Sequence, residues 1–326
     1  MRITAEILKE TFAALEVKTD HGSPDKIEFH PITPAPGPLL AIDGGNAELL
    51  TTPTVSVQLL RFGAVRWTGK AERIREEWMT VITGNADTYH ATLTPLRGEH
   101  AFSTRTFDFT MAEQALLDGG LRGNLGRLGN VIRKVGELQF AAHLVAQGDL
   151  VVFDGNLQST SAAVEHARNA LLTKANALTA TVVGFAKTAD LSTPTGYPMT
   201  AAVRTLAEQY ALQQWYTAPT EVLHSSVSIN IHFAKLHPQA QHVFRIDSVD
   251  SGTFAAAVSR LAAVSADPVF FGYPYPLIVA DQLARVSNEE KEGLMMEFIA
   301  RAGSQYPTLR VATNALNAHG ILDRIR

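Results

Sequence analysis

Two apolar runs end alike: Leu39-Leu40-Ala41-Ile42 leads into Asp43-Gly44-Gly45, and Leu150-Val151-Val152-Phe153 leads into Asp154-Gly155-Asn156. Each run is too short for a helix and apolar at every position, which is the pattern of a strand buried on both faces. Such strands need helices covering the sheet, so the pair commits the chain to an α/β architecture before any other element is placed. An aspartate at the carboxyl end of such a strand stands where α/β sheets place their ligands, and glycine behind it leaves the carboxylate unobstructed. Asp-Gly is also a common turn dipeptide in which aspartate caps a following N–H. Both readings stay open for either motif alone; the pair on two candidate central strands adds weight to chemistry.

The remaining elements fit around these strands. Residues 3–16 form a short amphipathic pattern, and four prolines between 31 and 38 then forbid regular structure. Residues 54–65 and 77–83 alternate and are rich in β-branched residues, which predicts an antiparallel meander following the strand at 39. Leu121, Leu125, Leu128, Ile132 and Val135 recur at helical spacing within 111–147, although glycines at 119, 120, 123, 126, 129 and 136 weaken that helix by up to ~1 kcal/mol each. A helix over 160–177, a buried strand over 180–186 ending at Lys187, a helix over 200–216 and a strand pair at 226–235 and 242–247 follow. Further helices are expected over 251–263 with Ser251 as cap, over 276–286, and over 288–301 with Asn288 as cap. The expected fold is α/β, a mixed central sheet flanked by helices, with helical and loop embellishments. The proline-rich break divides an N-terminal piece, 1–38, from one main domain, 39–326.

Composition narrows the function. With 326 residues and 46% hydrophobic content, a sizeable core is affordable. The absence of cysteine excludes disulfide scaffolds, Cys-type zinc sites, iron–sulfur clusters and thiol nucleophiles. Glu6 and Glu10 in the first helix predict no signal peptide, and no apolar run is long enough to predict a membrane span. A cytoplasmic protein is expected. The formal net charge of −4 excludes strong non-specific coating of nucleic acid.

If Asp43 and Asp154 converge, their mutual repulsion calls for a cation, and oxygen ligands select Mg²⁺ or Mn²⁺. Carboxylates holding two such ions are the usual machinery for in-line attack on a phosphodiester. Phosphoryl transfer from a nucleotide, as in a sugar or nucleotide kinase, is the rival chemistry, but no G-x-x-x-x-G-K-[ST] loop is present. Lys187, at the tip of a buried strand, suits a phosphate contact or a water-orienting role; its alternative is a surface lysine. Asp281 sits early in the helix after Tyr-Pro-Tyr-Pro, where an acid also suits the helix dipole, and Glu137 lies on the helix preceding the Asp154 strand, where its other reading is an i,i+4 pair with Arg133. Arg122, Arg127, Arg133 and Lys134 form an acid-free basic stretch, either a DNA-contacting wall or an ordinary solvated face. Tyr273, with Phe270, Phe271 and Tyr275, could stack on unpaired bases or complete the edge of a core.

Taken in order, IDGG, LVVFDGN, VVGFAK and GYPYPLIVADQLARV resemble the motifs of the NurA nucleases, over about residues 39–290. The resemblance implies an RNase H-like core, a homodimer, Mn²⁺-dependent (or Mg²⁺-dependent) DNA cleavage with two ions, and partnership with a HerA-type hexameric ATPase in DNA end resection and double-strand break repair. It implies 5′–3′ exonuclease and single-strand endonuclease activity. Asp43 and Asp154 match the two family aspartates, Glu137 the acidic residue on the intervening helix, and Lys187 the strand-end lysine. Gly45 and Asn156 stand where the family has serines. Asp281 stands at the family's histidine, with His319 as a second candidate for that role. A homologue that has lost cleavage and only regulates its ATPase is the other reading within the family.

Overall fold

The computed structural model describes Ile7, residues 27–85, 87–110, 125–159, 161–187, 191–193, 195–224 and 227–305, and Pro307. The strands are β1 (Phe29–Pro31), β2 (Leu39–Thr51), β3 (Val55–Trp67), β4 (Ala71–Gly84), β5 (Thr88–Arg97), β6 (Thr106–Thr110), β7 (Leu150–Asp154), β8 (Thr181–Ala186), β9 (Trp215–Thr217), β10 (Thr220–His224), β11 (Val227–Lys235) and β12 (Phe244–Ser248). Among the described residues the helices are α1 (Leu125–Leu144), α2 (Ala162–Ala177), α3 (Met199–Gln209), α4 (Phe254–Ala263), α5 (Tyr275–Ala284) and α6 (Asn288–Ala302). The hydrogen-bonded strand order is β1-β9-β11-β12-β8-β7-β2-β3-β4-β5-β6, with β10 added to β11.

Two compact units divide the chain. One comprises Pro38–Val151, Ser159–Ala180 and Pro276–Arg326. Its β2, β3, β4 and β5 form a long antiparallel meander, extended by β6. Helix α1 packs on β2 and β3, and α2 packs on α1. Ile42, Leu60, Phe62, Ala64, Trp78, Ile132, Phe140 and Leu171 are fully buried there, so this meander is covered rather than solvated.

The other unit comprises Met1–Gly37, Val152–Gln158 and Thr181–Tyr275. Here β12 pairs antiparallel with both β8 and β11, and β9 bridges β11 to β1. Trp215 is buried with its ring edge-on to Phe29 at 5.0 Å, and Phe254 of α4 stacks on His232 at 3.5 Å. The first residues of β7 belong to one unit and its last to the other.

Strand directions identify the core. The Leu150 N–H bonds the Pro38 carbonyl, just ahead of β2, so β7 starts beside the start of β2. Gly148 bonds Leu178 ahead of β8, and Gly155 bonds Phe185 near its end, which fixes β7 and β8 as parallel. An antiparallel β4-β3-β2 set continued by parallel β7 and β8 is the RNase H-like arrangement, a mixed sheet as the sequence implies.

Several local expectations change. The run at 39 does not stop at Asp43-Gly44-Gly45: β2 continues to Thr51, with Asp43, Gly44 and Gly45 paired to Gly63, Phe62 and Arg61. Those glycines are not turn residues. The helix expected over 200–216 ends at Gln209, because Ala211 takes a positive φ of 54° and Trp215–Thr217 pairs with β1 and β11. Ser287, not Asn288, caps α6 by accepting from the Glu290 N–H, and Thr253 rather than Ser251 precedes α4. The amphipathic segment 3–16 falls almost wholly outside the described residues, as do residues 111–124 of the basic helix and His319.

Candidate metal centre

Each of three elements contributes one carboxylate. Asp43 lies in mid-β2 and accepts the Gly44 N–H on Oδ1 at 2.8 Å; Asp154 is the last residue of β7; Asp281 lies in α5. All three are half-buried, and each has a carboxylate oxygen within 4.8 Å of one from each of the others. Three carboxylates this close repel one another unless positive charge lies among them. Their donors are all hard oxygens at a spacing that fits a shared divalent cation.

The chain supplies some of that positive charge itself. Lys187, directly after β8, sets its Nζ 2.5 Å from Asp154 Oδ2 and 5.5 Å above the Tyr273 ring. Arg285, one turn after Asp281, donates to Asp281 Oδ2 at 2.9 Å. The Lys187 side chain is 44% exposed, so its ammonium is anchored on Asp154 yet open to solvent.

The seat of Asp281 explains the glycines. A Cβ on Gly45 would lie 2.2 Å from the Ala284 carbonyl oxygen, and one on Gly63 would lie 2.5 Å from that of Ala280. Helix α5 therefore rests backbone-to-backbone on β2 and β3, closer than any side chain would permit. Arg61, the register partner of Gly45, fastens its far end. The buried guanidinium donates to the Arg285 carbonyl at 2.7 Å, to Glu77 Oε1 at 2.8 Å and to both oxygens of Glu290. It thus satisfies a carbonyl left open at the helix C-terminus and ties the first turn of α6 to the sheet. Burial lowers the Arg61 pKa, but hydrogen bonds and charges from Glu290 and Glu77 outweigh it and raise it overall. The same hydrogen bond from Arg61 holds the Glu290 carboxyl below its ordinary value.

Glu137 lies against β2 beside Asp43: a Cβ on Gly44 would come within 2.6 Å of its Oε1. It is buried on α1, where Arg133 and Lys134 hold its carboxylate, the latter at 2.8 Å. Arg133 also donates to the Gly44 carbonyl at 2.8 Å, so this cluster braces the strand next to Asp43. As placed, Glu137 pairs with two cations, Arg133 at i,i+4 and Lys134 at i,i+3. Of the expected DNA wall, Arg133 and Lys134 are engaged with Glu137 while remaining partly exposed. Arg127 is exposed on α1, and Arg122 lies outside the described residues. Tyr273 is only 2% exposed and packs among Phe185, Phe244 and Phe270, so its ring completes a core edge instead of meeting bases. Sequence reasoning passed over Arg61; an arginine set between Leu59-Leu60 and Phe62 in a strand was the available signal.

A sequence model of the NurA domain matches residues 111–286. Among solved structures, the chain is similar to the NurA nuclease from Sulfolobus solfataricus, with a TM-score of 0.61 at 14% identity, covering 92% of this chain and 95% of that one. It is also similar to a second NurA crystal structure, with a TM-score of 0.53 at 9% identity, covering 92% of this chain and 98% of the other. At these identities the two likenesses establish the fold. No curated protein matches the sequence.

Proposed function

The chain belongs to the NurA family, and from that membership together with the carboxylate cluster we propose that it is a divalent-metal-dependent deoxyribonuclease. The observation that carries the proposal is the meeting of Asp43, Asp154 and Asp281, with Lys187 already paired to Asp154. The relative from Sulfolobus solfataricus is named a nuclease, which supports the same chemistry. An all-oxygen donor set suits Mn²⁺ or Mg²⁺ over zinc or copper, and two ions are the proposed complement. When bound, they supply the positive charge that activates the attacking water and stabilises the leaving oxygen.

The residues of the chain do the rest. Asp43 is held by the pairing of β2, and Asp281 by the glycine seat and Arg61. Lys187 reaches from Asp154 to a non-bridging oxygen of the scissile phosphate and offsets its charge. Arg127 contacts the DNA backbone from α1, and Arg122 is a second proposed DNA-binding residue. The proposed setting is a cytoplasmic homodimer acting with a HerA-type hexameric ATPase in DNA end resection and double-strand break repair, by 5′–3′ exonuclease and single-strand endonuclease cleavage.

Purified protein incubated with end-labelled single-stranded and linear duplex DNA, with Mn²⁺, Mg²⁺ or EDTA, tests the reading. Cleavage is expected with metal and not with EDTA, and is lost in Asp43→Ala and Asp154→Ala. Intact DNA throughout, or an Asp43→Ala variant that cuts as well as the parent, overturns it. ATP turnover without DNA would instead favour a kinase.

A further inference from the structure

Asp154 ends a strand of only five residues, and the turn that follows it is held with unusual care. Gly155 takes a φ of 117° and donates its N–H to the Phe185 carbonyl at 2.8 Å. Asn156 Oδ1 accepts the Gln158 N–H at 3.1 Å, and the Leu157 side chain is buried. The turn lies directly on β8: a Cβ at Gly184 would come within 2.6 Å of the Gly155 carbonyl oxygen. Side chains other than hydrogen at 184 would lift it.

One more contact completes the turn. The Leu157 N–H donates to Asp247 Oδ2 at 3.1 Å. Asp247 is the register partner of Gly184 on β12 and is wholly buried. Arg245, two residues earlier and opposite Ala186, grips it in a fork, with Nε on Oδ1 at 2.7 Å and Nη2 on Oδ2 at 2.9 Å. A buried ion pair gives little net stability, since desolvating both charges offsets their attraction, and apolar replacements of like volume are often neutral. Stability alone is therefore a weak reason for this pair. Its geometry offers a better one, because the pair ends on the backbone three residues after Asp154.

We propose that Asp247, oriented by Arg245, is a positioning residue that fixes the Asp154 carboxylate by clamping the 155–158 turn onto β8. This rests on the reading of Asp154 as a metal ligand given above. Groups that orient a ligand in this indirect way typically change metal affinity or activity by about 10–100-fold when lost.

Two double variants separate positioning from folding. Arg245→Met/Asp247→Leu removes both charges and the acceptor for Leu157. Arg245→Met/Asp247→Asn also removes both charges but keeps an acceptor. Mn²⁺ affinity is read by the paramagnetic resonance of free Mn²⁺, and local order by amide hydrogen exchange at Leu157. The leucine variant is expected to melt near the parent, to bind Mn²⁺ about tenfold or more weakly and to exchange the Leu157 amide faster. Its kcat on DNA falls with KM unchanged, and the asparagine variant recovers most of each loss. Parental Mn²⁺ affinity in the leucine variant, or equal losses in both variants, overturns the proposal. If the parent protein neither cuts DNA nor binds Mn²⁺, the nuclease reading fails, while Leu157 exchange still decides whether Asp247 holds the turn.

Discussion

Gly63 is the cross-strand partner of Asp43, and the carbonyl of Ala280 occupies the space that a side chain at Gly63 would need. The residue opposite one carboxylate thus governs the approach of the helix bearing another. Gly63→Val is expected to push α5 outward and carry Asp281 away from its partners. Overpacking of this kind costs about 1–3 kcal/mol, and Mn²⁺ affinity should fall together with the denaturant midpoint. An unchanged Mn²⁺ titration in a folded Gly63→Val protein would show that α5 can sit elsewhere without consequence.

The three aspartates oppose one another in the absence of metal. Asp281→Asn removes one charge and keeps an oxygen acceptor, so in EDTA its melting temperature should exceed that of the parent. Added Mn²⁺ should reverse the order, because a ligand at 100 times its dissociation constant stabilises the native state by about 2.7 kcal/mol. Melting curves in EDTA and across an Mn²⁺ series check both halves.

Lys187→Met separates phosphate handling from metal binding. The variant retains Asp43, Asp154 and Asp281, so it should still bind Mn²⁺, while kcat drops about 100-fold, as expected for loss of one charge-stabilising group. Loss of Mn²⁺ binding in Lys187→Met would assign the lysine to building the site.

Arg61→Met opens the Arg285 carbonyl and leaves Arg75 to pair with Glu77 and Glu290. Leaving polar groups without their partner in this way costs about 1–3 kcal/mol, measurable as a fall in the guanidinium midpoint. Hydrogen exchange should quicken first in α6, which buries no residue of its own and depends on this tether.

Acid should weaken the fold in two stages. Burial holds the His232 imidazole below its ordinary value, against the raising effects of its bond to the Thr217 carbonyl and the charge of Asp247. Below about pH 6.5 the unfolded chain takes up a proton that the folded one resists, so the contribution present above that pH declines as pH falls. Glu290, held low by Arg61, contributes above its ordinary value near 4.3, and that share is lost as pH falls through its lowered folded value. Melting temperature against pH should be level near neutrality and descend on acidification. In His232→Gln the upper part of the descent should flatten.

The sequence disclosed the central strands because both are apolar on each face, and it disclosed Asp43, Asp154 and Asp281 because each follows a motif. It misread what the glycines after Asp43 are for, since close helix approach and turning place the same demand on residue type. The glycines of α1 misled for the same reason: a Cβ at Gly136 would strike Phe62, so helix–strand contact, and not helix breaking, accounts for it. Strand β5 was legible in the alternation of Tyr89, Ala91 and Leu93, all buried, and was passed over. The contacts of Arg61 and Asp247 depend on residues distant in sequence, which no local pattern encodes, whereas Arg133 and Lys134 meet Glu137 at ordinary i,i+4 and i,i+3 helical spacing.

Strand β2 runs well past Asp43 before it ends, and its register with β3 slips between Glu48 and Leu50. An irregularity there is the soft joint of an otherwise continuous ladder. The irregularity lies beyond Asp43, so the ladder opposite the carboxylate, Asp43 on Gly63 and Gly63 on Arg75, keeps its register unbroken across three strands.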